Sequence, residues 1–242
     1  MTQQVSYMNS SSRAGSSVLP NVTEAGNASD DIHYESIGTR SMKAGDTISL
    51  DVMEDSAKYQ RGVEWTVPDP RNERGRYDNN NPISSEAWDA VRFLNPFKAP
   101  MTTAATTITE KGKFRGQSQS DWVNPGQQTC IKITRALSIR TRASEIEEEG
   151  KRKIVYIGGN NYQRTTVKGT LTVRNFRSEE AVITIRAEFS GELLEADGDP
   201  EKSLRTEGVT SVNPRRQLDW TIKLPAGEEK ELTYRYEVLV DR

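Results

Sequence analysis

Residues 218–240 read LDWTIKL (218–224), PAGEEK (225–230) and ELTYRYEVLV (231–240). In the first run Leu218, Trp220, Ile222 and Leu224 alternate with polar residues, and in the last run Leu232, Tyr234, Tyr236, Val238 and Val240 do the same. A period of two is the signature of strands buried on one face. Between them Pro225 fixes its own φ and Gly227 can take φ above zero, so the connection has turn chemistry. The stretch is expected to be a β-hairpin with Trp220, Tyr234 and Tyr236 on one face, where burial of each aromatic contributes roughly 2–3 kcal/mol. A face that apolar has to be covered by a second layer, and the opposite face, with Thr233, Arg235, Glu237 and Leu239, meets solvent or a partner.

The same alternation recurs upstream. Val167, Leu171 and Val173 lie on one face of a strand, residues 177–180 turn the chain, and Ile183, Ile185, Ala187 and Phe189 line the return, which reads as a second hairpin. Further back, strands are expected at 47–53 (Ile48, Leu50, Val52) after an Ala44-Gly45-Asp46 turn, and at 59–67 (Val63, Trp65, Val67). Others are expected at 90–95, 106–109, 113–115 and 129–133, the last after a Pro125-Gly126 turn, with Leu137, Ile139 and Thr141 continuing the pattern. Short strands separated by turn signals predict an all-β protein built as a sandwich or barrel. Residues 68–86 hold three prolines and four asparagines without an apolar period and read as a long surface loop. The charge run 145–153, acidic and then basic, reads as a solvated link between two subdomains.

Composition bounds the rest. Of 242 residues 33% are apolar and 28% charged, so the core must be thin, as in two packed layers with extensive loops. The formal net charge of -2 offers no field for steering nucleic acid or an anionic membrane surface, and neither is expected as a partner. No apolar run approaches the ~20 residues that span a bilayer, so no membrane insertion is expected of this chain. The single cysteine, Cys130, leaves no internal disulfide framework. It falls between Thr129 and Ile131 and is expected to be a small core filler. Residues 1–30, rich in Ser, Asn, Gly and Ala, read as a flexible tail or linker; their three Asn-x-Ser/Thr triplets are what such a composition produces by chance.

The order of VRFLN (91–95), GKFRG (112–116), NPGQ (124–127), LTVRNFRSEEAVITIRAEF (171–189) and LDWTIKLPAGEEKELTYRYEV (218–238) resembles the C-terminal domain of mucoidy-inhibitor-A-like proteins, a domain of unknown function. The resemblance spans residues 32–240 and is strongest in the last 80 or so. It implies an all-β domain, found in envelope-associated or secreted proteins, with no catalytic residues to carry over. Members of that family carry a further N-terminal domain and a coiled-coil-like middle region, which implies that this chain is the C-terminal part of a longer protein. The 68–86 loop departs from the family by its length.

Catalytic constellations are sparse. His33, the only histidine, sits beside the tail and reads as a structural residue at a strand edge, since nucleophilic catalysis needs a base within hydrogen-bond reach. Asp197, Asp199 and Glu201 alternate around Gly198 and could offer oxygen ligands to calcium, although the full EF-hand spacing is missing. No other cofactor is expected. Gly158-Gly159 leads into a strand rather than opening a helix, which argues against a phosphate loop. The expected architecture is therefore an antiparallel β-sandwich, immunoglobulin-like over 160–242, preceded by a β-rich subdomain over 31–155. The expected function is a non-catalytic structural or protein-interaction module that meets a partner or copies of itself through sheet edges. The alternative is a carboxylate-based hydrolase or carbohydrate-binding unit, calcium-dependent or not.

Overall fold

The computed structural model describes residues 38–39, 41–78, 83–148, 153–208 and 211–241. Its regular elements are all strands: β1 (Tyr59–Val67), β2 (Ala87–Leu94), β3 (Ala104–Glu110), β4 (Lys113–Ser120), β5 (Gln128–Arg135), β6 (Ile139–Glu147), β7 (Lys153–Ile157), β8 (Asn160–Asn175), β9 (Ala181–Ser190), β10 (Glu192–Ala196), β11 (Glu201–Gly208), β12 (Ser211–Leu224) and β13 (Glu229–Asp241). The protein is all-β, with several open sheets. Among the described residues no helix is long and apolar enough to cross a membrane.

Six strands form one sheet in the order β11-β12-β9-β1-β2-β5, and a second runs β10-β13-β8-β6 with β7 also on β8. β3 and β4 pair as a separate hairpin. The pairing is antiparallel wherever a register is defined, except that β1 and β9 run parallel, Val63 beside Ile183 and Val67 beside Ala187. The chain forms two units, Met1–Tyr59 with Arg92–Ile131, and Gln60–Val91 with Lys132–Arg242. The division expected at residues 155–160 falls at the turn between β7 and β8, which pair with each other.

The second unit holds a core to which both sheets contribute. Trp65, Ile185, Phe189 and Trp220 come from the six-stranded sheet, and Leu171 and Tyr236 from the other, all in one buried cluster. This placement corrects the expected hairpins. β12 pairs with β9, whereas β13 pairs with β8 and β10, so the run 218–240 is an arch whose two strands belong to different sheets. β8 and β9 are separated in the same way. Alternation is identical in a hairpin and an arch, because each strand still buries one face; what differs is whether the turn lets the strands hydrogen-bond to each other.

Asn175 decides it. This residue is fully buried, and its Nδ2 donates to Glu179 O (2.8 Å), Leu224 O (2.9 Å) and Pro225 O (3.1 Å), while its Oδ1 accepts from Arg177 N (2.9 Å). One side chain thus ties carbonyls of both arches together. The first unit repeats the device: Asn95 Nδ2 donates to Ala99 O (3.1 Å) and Val123 O (2.9 Å), and its Oδ1 accepts from Phe97 N (3.0 Å).

Three other expectations change. Residues 47–58 form no strand ahead of β1, although the turn before them is present, with Asp46 N donating to Lys43 O at 3.1 Å. Alternating apolar residues become a strand only with a partner to bond, and among the described residues that segment pairs with none. Cys130 is exposed, because β5 turns Thr129, Ile131 and Ile133 inward and Cys130 lies on the other face. The acidic run 145–147 ends β6 rather than forming a link. The tail 1–30 and His33 lie outside the described residues.

Candidate functional site

The densest group of titratable side chains lies within the second unit and starts where β1 ends. Pro68-Asp69-Pro70 cannot extend the strand, since proline donates no ladder hydrogen bond. Asp69 turns the chain instead: its Oδ1 accepts from Arg71 N (3.0 Å) and its Oδ2 from the Ser190 hydroxyl. Beyond it residues 70–78 fold back on themselves, with Asp78 N on Pro70 O (2.8 Å), Asn72 N on Arg76 O (2.9 Å) and an antiparallel bridge between Arg71 and Tyr77. Gly75 sits at the tip with φ 72°, and a Cβ there would lie 2.2 Å from Leu239 O. Asp241 N donates to Arg74 O (2.9 Å) and Arg76 Nε to Asp241 O (3.0 Å), tying the loop to the end of β13. The first half of the expected surface loop is therefore an ordered plug.

The plug delivers Arg71 into the interior, where it meets Glu145 of β6. Their side chains are only 6% and 4% exposed, with Nη2 3.5 Å from Oε2. Arg71 Nε donates to Tyr236 Oη (3.2 Å) and Nη1 to Gly75 O (3.0 Å), and the guanidinium stacks 4.3 Å from the centre of the Tyr77 ring. Glu145 accepts three phenolic hydroxyls: Tyr77 (2.8 Å), Tyr234 (3.2 Å) and Tyr236 (2.9 Å). Gly169 makes room for this arrangement, because a Cβ at that position would lie 2.2 Å from the Tyr234 ring.

Electrostatics follow from burial. Desolvation, with Glu145 close by, pushes the hydroxyls of Tyr77, Tyr234 and Tyr236 above the ordinary tyrosine range, so all three stay protonated donors. Desolvation likewise raises the Asp69 carboxyl, against the hydrogen bonds from Ser190 and Arg71 that lower it. For Arg71, burial disfavours the charge, but Tyr236 and Glu145 outweigh it and hold the guanidinium charged. Among the described residues no buried side-chain nitrogen or oxygen lacks a hydrogen-bond partner, Glu145 and Arg71 included.

The calcium candidates are arranged differently. Asp197 stands at the turn after β10, where its Oδ2 accepts from Thr233 N (3.1 Å) and Thr233 Oγ1 (2.6 Å), bonds that hold its carboxyl below the usual range. Its backbone oxygen accepts from Trp220 Nε1 at 2.7 Å. Asp199 takes a positive φ of 46° and Glu201 opens β11 with its side chain exposed. Among the described residues no three His, Cys, Asp or Glu side chains group as ligands for one ion. The turn anchors β10 to β13 and seats Gly198 against Leu232.

The outer face of β13 carries ion pairs: Arg235 joins Glu148 (2.6 Å) and Glu195 (2.9 Å), and Arg164 approaches Glu237 (3.6 Å). Such pairs are exposed and contribute little individually. Tyr234 and Tyr236 are legible in the sequence as core residues, whereas Glu145 and Arg71 sit in polar stretches. A buried tyrosine needs a polar partner, and that requirement was the available signal for Glu145 and Arg71. Family models, curated proteins and solved structures include none that matches the chain.

Proposed function

We propose that the protein is a non-catalytic interaction module, with its second unit an immunoglobulin-like sandwich that presents sheet edges to a protein partner or to further copies of the chain. The envelope-associated setting implied by the resemblance to mucoidy-inhibitor-A-like proteins belongs to the same proposal. The observation that carries it is the contrast between interior and periphery. Among the described residues the buried titratable cluster leaves no buried side-chain nitrogen or oxygen without a hydrogen-bond partner. The periphery leaves large apolar side chains in solvent: Ile146 at 66%, Ile154 at 55% and Tyr156 at 71% exposure. Exposed apolar residues on open strands are what strand addition recognises.

The test is hydrogen exchange of the full chain at low and high protein concentration. Slower exchange at peripheral strands in the concentrated sample, with the core unchanged, is the expected result. Uniform exchange at every concentration, together with hydrolysis of a glycan panel that Glu145→Gln abolishes, would replace this reading by an enzymatic one.

A further inference from the structure

Resting on the interaction reading above, we infer that the edge formed by β6 and β7 is a self-association surface whose occupant is the same edge of a second copy, paired antiparallel about a two-fold axis. Both strands lie on the same side of β8: β6 pairs with its second half (Glu147 beside Val167, Ile139 beside Asn175) and β7 with its beginning (Lys153 beside Arg164, Ile157 beside Asn160). Together they end the second sheet, so their outer backbone groups face away from it.

Natural edges of this kind are blunted by charge, proline or cover. This one carries Ile146 at 66%, Ile154 at 55% and Tyr156 at 71% exposure. Only Val155 of β7 is even partly buried.

Charge identifies the occupant. Among the described residues the edge is acidic where β6 ends and basic where β7 begins. β6 ends with Glu147, Glu148 follows it, and β7 opens with Lys153. A two-fold interface must be self-complementary, because each half of the patch meets the other half of its copy. Antiparallel pairing satisfies this: the acidic end of β6 in one copy lies against the basic start of β7 in the other, twice. Parallel, in-register pairing sets like against like, which is unfavourable. Glu148 already bonds Arg235 within its own chain (2.6 Å), and a lysine from the copy would extend that pair into a network.

The experiment is sedimentation of the full chain over a range of protein and salt concentrations. It compares the natural chain with Lys153→Glu and with the double variant Ile154→Asp/Tyr156→Asp. All three positions are exposed, so circular dichroism and melting should match the natural chain. The expected result is a monomer–dimer equilibrium that weakens with salt, weakens about tenfold or more in Lys153→Glu, and disappears in the double variant. A chain that stays monomeric throughout overturns the inference but leaves binding to a different protein open. A dimer indifferent to both variants overturns the edge while keeping self-association. Open-ended oligomers instead of dimers overturn the two-fold arrangement in favour of a head-to-tail contact, such as residues 47–53 of one copy adding to the edge of the next.

Discussion

Replacing Glu145 by Ala should be among the most damaging single substitutions available in the second unit. The carboxylate is 4% exposed, it is the anion facing the 6% exposed Arg71, and it accepts three tyrosine hydroxyls. Removing one partner of a buried ion pair costs about 3–5 kcal/mol, because the remaining charge is stranded without water. The phenols add to that unless each turns to a new acceptor, about 1 kcal/mol or more for each that does not. Against a total stability of about 5–15 kcal/mol, that is a large share. Glu145→Gln also strands the Arg71 charge and turns one acceptor oxygen into an N–H donor that faces either Tyr77 and Arg71 or Tyr234 and Tyr236, so about 3 kcal/mol or more is expected. The double variant Arg71→Met/Glu145→Leu removes both charges and should cost far less than the sum of the two single losses. The assay is urea unfolding followed by tryptophan emission, since Trp65 and Trp220 are both buried in this unit. A loss below about 1 kcal/mol for Glu145→Ala would refute the reasoning, for it would mean that water reaches Arg71 freely.

Trp220→Ala should cost about 3–5 kcal/mol by core truncation in the same assay, and a near-neutral result would place its 2% exposed ring outside the core. Asn175→Ala removes a buried side chain that donates to three backbone carbonyls, of which Pro225 O keeps Glu228 N, and should cost about 2 kcal/mol, with near-ultraviolet dichroism reporting loosened arches. Gly169→Ala forces a methyl against the Tyr234 ring and should lose about 1–3 kcal/mol, whereas Gly112→Ala, open but at φ 75°, should lose less; equal losses would remove the steric explanation. Asp69 is raised in the folded state, so the native protein binds its proton more tightly than the unfolded chain does. Stability should therefore fall as pH rises from the ordinary carboxyl value of 3.8 towards the raised one, and Asp69→Asn should flatten that slope in urea midpoints measured across the acid range.

How much of this was legible in the sequence depends on which physical term sets each feature. Strand existence and inward face come from local alternation, so Trp65, Phe189, Trp220, Tyr234 and Tyr236 were readable as core, and all are buried. Cys130 follows the same rule: Gln128, Cys130 and Lys132 share a face opposite Thr129, Ile131 and Ile133, so strand phase and not the apolar character of the thiol sets its exposure. Sheet membership is a different quantity. It depends on which strand supplies the ladder partner, and nothing within 218–240 records that β12 bonds to β9 while β13 bonds to β8.

The same division explains why the buried cluster was invisible as a site and visible as a need. Arg71 and Glu145 stand 74 residues apart, each in a polar stretch that reads as solvated, and only the fold brings them to 3.5 Å. Yet two tyrosines on one buried face already demanded acceptors, and an inward face made of strands alone offers none, because its backbone groups are spent on the ladders. The acceptor had to be a side chain, and a buried carboxylate in turn needs a cation. The chain from 68 to 78 supplies that cation through a proline-stopped strand and a tight return, so its length serves the core. A stretch that reads as a surface loop is here accounted for by the hydroxyls of Tyr234 and Tyr236.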